Sequence, residues 1–424
     1  MIKINDKLVT FNLGFLFIGT YFIYFLLVPI LLYFNLLDPD LIYSLYTRKG
    51  LPFLTFSSLY YILTGLIFFA LGYFIFFNKR RNIIKNINLL NRKWSFINML
   101  IGSVILFSGG VFSKILGVLK GAHLHNHYWS ALIDNQMINF FIVFNVLQIL
   151  ALIVIFYAYL LAKKEKNLFW KKIFFRIFLV LFVIMLLATL THGSKALTLG
   201  IIFPILILYA STLSSKQAFL IVVGMFTLTI FIMVGKGIFE DYFRDTSNSQ
   251  DVTVSERLDA FFGRVNQTHI VTAVVSRQVE PIGIAVFGEF YQHLKFKEYR
   301  KNIIQNGNEF AQDYGFIGSN DNVTGVGRTL IGGLYLSFGY LGIMLGMLFL
   351  GILYKIIHLS IHTEVGIIFY SFTLLNMLLR IEQDLIIMVN TLVFHLSIVL
   401  ALHLTIMKGG IIDKFLYRFE KYKK

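Results

Sequence analysis

Residues 236–328 decide how this chain is read. The interval opens KGIFEDYFRDTSNSQ (236–250), continues VSERLDAFFGRVNQTHIVTAVVSRQVE (254–280) and closes NGNEFAQDYGFIGSNDNVTGVGR (306–328). It is the only long polar stretch in a chain that is otherwise apolar from end to end. Its acidic and basic residues nearly balance, and Gly and Asn crowd its end. Such an interval between apolar runs reads as a folded loop outside a membrane, held over a bundle of helices.

Working outward, the flanks are greasy. Hydrophobic residues make up 57% of the 424 and charged residues 14%. Apolar runs of about 20 residues recur, each long enough to cross roughly 30 Å of hydrocarbon. The expected class is therefore an all-α polytopic membrane protein. The formal net charge of +16 is placed in short loops beside the spans, as the positive-inside rule expects, and does not call for a nucleic-acid partner. With no cysteine, there is no disulfide framework and no thiolate metal site. The apolar run after MIKINDK is too long for a signal-peptide core and reads as a span.

Ten spans are expected: about 11–36, 51–77, 96–116, 137–162, 173–190, 196–213, 217–235, 329–354, 365–379 and 385–407. Residues 1–235 would carry seven of them, 236–328 the large outer loop, 329–407 the last three and 408–424 a basic tail. Lys79, Arg80, Arg81, Lys85, Arg92 and Lys93 share one loop; Lys163, Lys164, Lys166, Lys171 and Lys172 share another; the tail is similarly basic. This asymmetry predicts both termini in the cytoplasm and the long interval outside.

Within the interval, Thr253 and Glu256 suit a capping box for a helix from about Val254 to Ser276. Arg257 and Arg264 are seven apart and share one face, with Phe261 between them; Arg277 follows at the helix end. Leu258, Phe262, Val265, Val271, Val274 and Val275 make the helix amphipathic. Several arginines on such a helix suit a pyrophosphate on a lipid, since Arg gives planar bidentate contacts to phosphate; salt bridging with Glu256 and Asp259 is the competing reading. Beyond the interval, THGSK (191–195) places Lys195 as an anion contact or as a cation snorkelling to headgroups. HLHNH (123–127) offers three alternate histidines, as a metal site or a solvated loop. LLRIEQDLI (378–386) places Arg380, Glu382 and Asp384 at the outer surface, as an ion-pair cap or as site lining. Arg328 is expected at the outer mouth of the eighth span, whose Gly332, Gly333 and Gly339 allow close packing.

GSKALTLGIIFPILI (193–207), GRTLIGGLYLSFGYLGIMLG (327–346) and LLRIEQDLI, set in this architecture, resemble the bacterial Wzy family of polysaccharide polymerases and the related O-antigen ligases. Lys195 stands where these proteins usually carry Arg. Arg, ten residues, Gly occurs twice, at Arg277 to Gly288 and Arg328 to Gly339. The resemblance implies a GT-C-like architecture with one large extracytoplasmic loop in the bacterial cytoplasmic membrane. It implies an inverting, metal-independent transfer that needs no cofactor. A growing glycan would move from undecaprenyl pyrophosphate to a lipid-linked repeat unit, with a chain-length regulator protein as a further partner. For that chemistry Arg257, Arg264, Arg277, Arg328, Arg380 and Lys195 would meet the pyrophosphate charge. His269 and Glu289 are the candidate bases, with Glu382 and Asp384 behind them. Tyr242, Tyr291, Tyr299 and Tyr314 could line a sugar groove or anchor at the interface. A flippase or secondary transporter is the competing class; it predicts mid-span charge pairs and internal repeats.

Overall fold

The computed structural model describes residues 12–34, 36, 56–74, 95–119, 146–192, 195–210, 212–213, 216–221, 223–225, 227, 272, 329–361, 363–379, 381 and 385–407. Among them there is no strand. Helix α1 joins Leu13–Phe22, a π-helical turn Ile23–Leu27 and Val28–Tyr33. The π turn lies just before Pro29, which supplies no N–H and crowds the carbonyl four residues back; widening the turn relieves that crowding. Then come α2 (Phe56–Phe74), α3 (Phe96–Leu119), α4 (Val146–Lys164), α5 (Leu168–His192), α6 (Lys195–Ala210), α7 (Leu330–Ser360), α8 (Glu364–Leu379) and α9 (Leu385–Leu402), which ends in a second π turn, His403–Met407.

Three of these stretches are long and apolar enough to cross a membrane: Leu13–Leu31, Val146–Lys164 and Leu330–Ser360. Shorter apolar stretches among the described residues run over Ser58–Phe74, Phe96–Phe112, Leu199–Ala210, Lys216–Met225, Glu364–Leu374 and Thr391–Thr405. Outward faces are also apolar. Along α5, Phe175, Leu179, Val183 and Leu187 recur every four residues and are 46%, 50%, 45% and 58% exposed. A stripe of that length facing water would be an aggregation surface; facing acyl chains it costs nothing. The pattern is that of a helical membrane protein.

The interior is built on aromatic rings. Phe17 of α1 stacks on Phe69 of α2 at 4.1 Å and meets Tyr354 of α7 edge-on at 5.1 Å. All three are fully buried. Their hydroxyl-bearing neighbours find partners, as buried phenols must. Tyr21 donates to the carbonyl of Ile62 at 2.8 Å, and Tyr354 donates to the carbonyl of Met377 at 2.9 Å. Tyr73 donates to Oδ1 of Asn12 just ahead of α1, and Lys355 Nζ lies 4.9 Å over the Tyr73 ring. Helices α2 and α7 approach until backbone touches backbone. A Cβ added at Gly72 would fall on the carbonyl oxygen of Leu348, and one at Gly351 on that of Phe69.

Helix α7 departs from the expected single run 329–354. Phe338 (φ −145°, ψ 28°) and Gly339 (φ 61°, ψ −139°) are not helical. The chain reverses there. Leu334 packs its carbonyl against Gly342 and its side chain against Gly346. In an unbroken helix, residues 334 and 342 would be about 12 Å apart. Likewise Ile331 and Met347 both reach the site of Gly65. So Leu330–Ser337 is a short arm lying back along the long arm that starts at Tyr340. Gly339 makes the reversal rather than a close helix contact, because its dihedrals lie where an L side chain is strained. The long arm alone, from Tyr340 to Ser360, is about 31 Å, still enough to cross hydrocarbon.

The α2–α7 contact yields a stability test. Gly72→Ala should lower stability by about 1–3 kcal/mol, because the obstacle is backbone and cannot rotate away. Gly19→Ala, where nothing lies within 4 Å of the added carbon, should be neutral or slightly stabilising. Thermal unfolding of the two detergent-purified variants checks the contrast; equal melting temperatures would refute the packing.

Candidate functional site at the helix reversal

Thr272 of the polar interval meets the bundle at the foot of the short arm of α7. Thr329 caps that arm: its Oγ1 accepts from the N–H of Gly332 at 3.1 Å, and its carbonyl from the N–H of Gly333 at 2.9 Å. The same hydroxyl lies 2.9 Å from the hydroxyl of Thr272, and both residues are 1% exposed. Thr272 is the one residue of the interval that the structure describes, and the hydroxyl pair ties it to the bundle interior. Thr329 has φ 62° and ψ 160°. That region is populated essentially by Gly alone, and a β-branched residue there stores strain of order 1–3 kcal/mol.

At the other end of the short arm, beside Gly339, four tyrosines gather into a ledge. The Tyr60 and Tyr340 rings are nearly parallel, with centroids 5.3 Å apart at 11°. Tyr61 packs on Tyr335 at 5.1 Å and on Tyr340 at 6.2 Å. The Tyr60 hydroxyl donates to that of Tyr340 at 2.9 Å, which in turn lies 3.3 Å from the hydroxyl of Thr64. Tyr60 is 55% exposed and Phe338, at the break, 45%.

A second polar feature joins α4 to α8. Thr363 opens α8, accepting from the N–H of Gly366 at 2.9 Å and donating to the Ser360 carbonyl at 2.9 Å. Glu364 follows in the first turn, where the helix dipole favours a carboxylate. It is buried and hydrogen-bonds Tyr157 of α4.

Of the residues singled out in the sequence, Lys195 is the first residue of α6. Arg257, Arg264, His269, Arg277, Glu289, Arg328, Arg380, Glu382 and Asp384 lie outside the described residues, as do the HLHNH histidines and Tyr242, Tyr291, Tyr299 and Tyr314. Three places bear on them. Thr272 lies three positions after His269, Thr329 follows Arg328, and Ile381, fully buried, follows Arg380. Among the described residues no three His, Cys, Asp or Glu side chains stand together as a metal site. The ledge went unanticipated, because its two halves are about 275 positions apart in the chain; the adjacent pair Tyr60–Tyr61 was the available signal. No family model, curated protein or solved structure matches the chain.

The cap and its strain separate two substitutions. Thr329→Ala keeps the unfavourable φ while losing the cap and the Thr272 hydrogen bond, each worth about 1 kcal/mol. Thr329→Gly loses the same hydroxyl but relaxes the backbone. The Gly variant should therefore unfold at the higher temperature of the two, by an amount equivalent to about 1–3 kcal/mol; the reverse order would mean that the left-handed backbone is not strained.

Proposed function

We propose that this chain is a membrane glycosyltransferase of the Wzy type, polymerising lipid-linked repeat units on the outer face of a bacterial cytoplasmic membrane. It has about ten spans, both termini in the cytoplasm and the interval 236–328 outside. The observation that carries the reading is the pairing of that polar, arginine-bearing interval with an otherwise apolar helical chain. The sequence resemblance supplies the reaction. The hydroxyl pair Thr272–Thr329 supports it by joining the interval to the bundle, as a site shared by a lipid carrier and a glycan requires.

In this reaction an acceptor hydroxyl oxygen attacks the anomeric carbon of the growing chain. The bond from that carbon to the pyrophosphate oxygen breaks with inversion, the electron pair leaves with undecaprenyl pyrophosphate, and the hydroxyl proton passes to a base. His269 and Glu289 are the assigned bases. Arg257, Arg264, Arg277, Arg328, Arg380 and Lys195 are assigned to the leaving pyrophosphate, where preorganised cations lower the barrier most.

The broken helix α7 favours a second reading, a transporter or flippase, since transporters use discontinuous helices around a mid-membrane site. In α7, however, the described residues gathered at the break are tyrosines, Tyr60, Tyr61, Tyr335 and Tyr340, and not the charge pairs that reading predicts. An O-antigen ligase would share the chemistry and differ in acceptor.

Gene deletion followed by a gel of surface polysaccharide tests the reading. A collapse of the ladder to single repeat units is expected; complete loss of attachment would point to ligation, and an unchanged ladder would refute glycan transfer. With purified lipid-linked repeat units, Arg264→Ala should lower turnover on the order of 10²–10³-fold and Arg264→Lys should restore part of it, since charge survives but the bidentate fork does not. Wild-type turnover by a folded Arg264→Ala protein would remove Arg264 from the site.

A further inference from the structure

We propose that the ledge of Tyr60, Tyr61, Tyr335 and Tyr340 is a carbohydrate-stacking platform, on which a pyranose ring of the lipid-linked glycan rests during transfer. The identity of the ligand rests on the glycan-transfer reading; the geometry of the ledge does not.

The argument turns on where the hydroxyls go. A tyrosine that merely anchors a helix at the membrane surface buries its ring and sends its hydroxyl to water or headgroups. The ledge does the opposite. The Tyr60 hydroxyl donates to Tyr340, and the Tyr340 hydroxyl is 3.3 Å from Thr64. The polar tips are consumed within the ledge, while Tyr60 remains 55% exposed. What is presented outward is therefore ring. The rings are also held: Tyr60 and Tyr340 lie 11° from parallel, and Tyr61 is braced on Tyr335. Fixed aromatic area loses little conformational entropy on binding.

Location adds a second line. Tyr60 is four residues from the start of α2, about 6 Å along its axis, and Tyr340 is the first residue after the reversal at Gly339. The ledge thus sits where α7 turns back on itself. The opposite end of the short arm carries Thr329 and, through it, Thr272 of the polar interval. A glycan held on the ledge would lie one short arm, about 12 Å, from Thr329, the residue that follows the candidate Arg328. Acyl chains alone would give no reason for interlocked hydroxyls, since a row of Leu or Phe would serve.

The test uses the full chain in lipid nanodiscs. The probe is the oligosaccharide repeat unit released by mild acid from the carrier lipid of cells that carry the gene. Saturation-transfer NMR, irradiating aromatic protons, reads contact with the sugar, and a titration gives the affinity. Wild type, Tyr60→Phe and Tyr60→Trp should all show transfer, whereas Tyr60→Leu should bind on the order of tenfold more weakly. An unrelated oligosaccharide should show none. Thermal unfolding confirms that each variant is folded, and the Phe and Trp variants decide the matter should Leu perturb the helix. The platform is refuted by absence of transfer to wild type, by unchanged affinity in folded Tyr60→Leu, or by a loss in Tyr60→Phe as large as in Tyr60→Leu. The deletion gel separates the two claims. Polymer lost on deletion with no sugar contact at the ledge refutes the platform and leaves the polymerase; sugar contact with an unchanged ladder refutes the polymerase and leaves the platform.

Discussion

The approach of α2 to α7 at Gly72 and Gly351 is the contact on which the rest of the bundle hangs. Lipid gives helices no hydrophobic reason to associate, so close packing must do it. With no side chain at either glycine, the carbonyls of Leu348 and Phe69 come within touching distance of the opposite helix. That fixes the ring of Phe69, on which Phe17 of α1 stacks. It also fixes Tyr354, three residues past Gly351, whose hydroxyl then reaches the Met377 carbonyl on α8. One backbone contact orients four helices, and the aromatic rings transmit it.

The same closeness governs the broken helix. Hydrocarbon offers no hydrogen bonds, so every backbone group freed by a break needs a partner in the protein. At the reversal the ladder is interrupted at Phe338 and Gly339. Just before it the Ser337 hydroxyl adds a bond to the Gly333 carbonyl at 2.9 Å. At the foot of the short arm Thr329 takes up the N–H of Gly332. Polar side chains therefore stand where the backbone ladder starts and ends, and the ledge of tyrosine hydroxyls lies at the level where the chain turns.

Much of the helical layout was legible because long apolar runs leave few alternatives. The run expected at 96–116 is the helix Phe96–Leu119, and that expected at 365–379 is Glu364–Leu379. The reversal inside α7 was not legible. LIGGLYLSFGYLGIMLG is apolar throughout, and hydropathy sees length but not direction. Gly339 is one of 32 glycines, and nothing in its neighbours marks the positive φ it adopts. The arginine pairing at Arg257 and Arg264 followed from helical spacing, and it lies outside the described residues. Thr272, in the same stretch, carries a side-chain contact to the bundle at Thr329. Tertiary pairs such as Tyr60 with Tyr340 are invisible to any local pattern, because only the folded chain makes them neighbours.

Thr329 shows how stability and connection trade against each other at such a junction. Its backbone would suit glycine and costs of order 1–3 kcal/mol as threonine. Its hydroxyl returns about 1 kcal/mol as a helix cap and about as much again through Thr272. The two sides nearly cancel, so net stability gives no strong reason for threonine here. What glycine could not supply is the second bond, the one that crosses 57 positions of sequence to Thr272. Without it, the short arm would still start at residue 330, but the polar interval would lose this hold on the bundle. The strain is thus better understood as the cost of fastening the interval to the helices than as an imperfection of the fold, and it lies one residue from Arg328, where the apolar chain gives way to its polar interval.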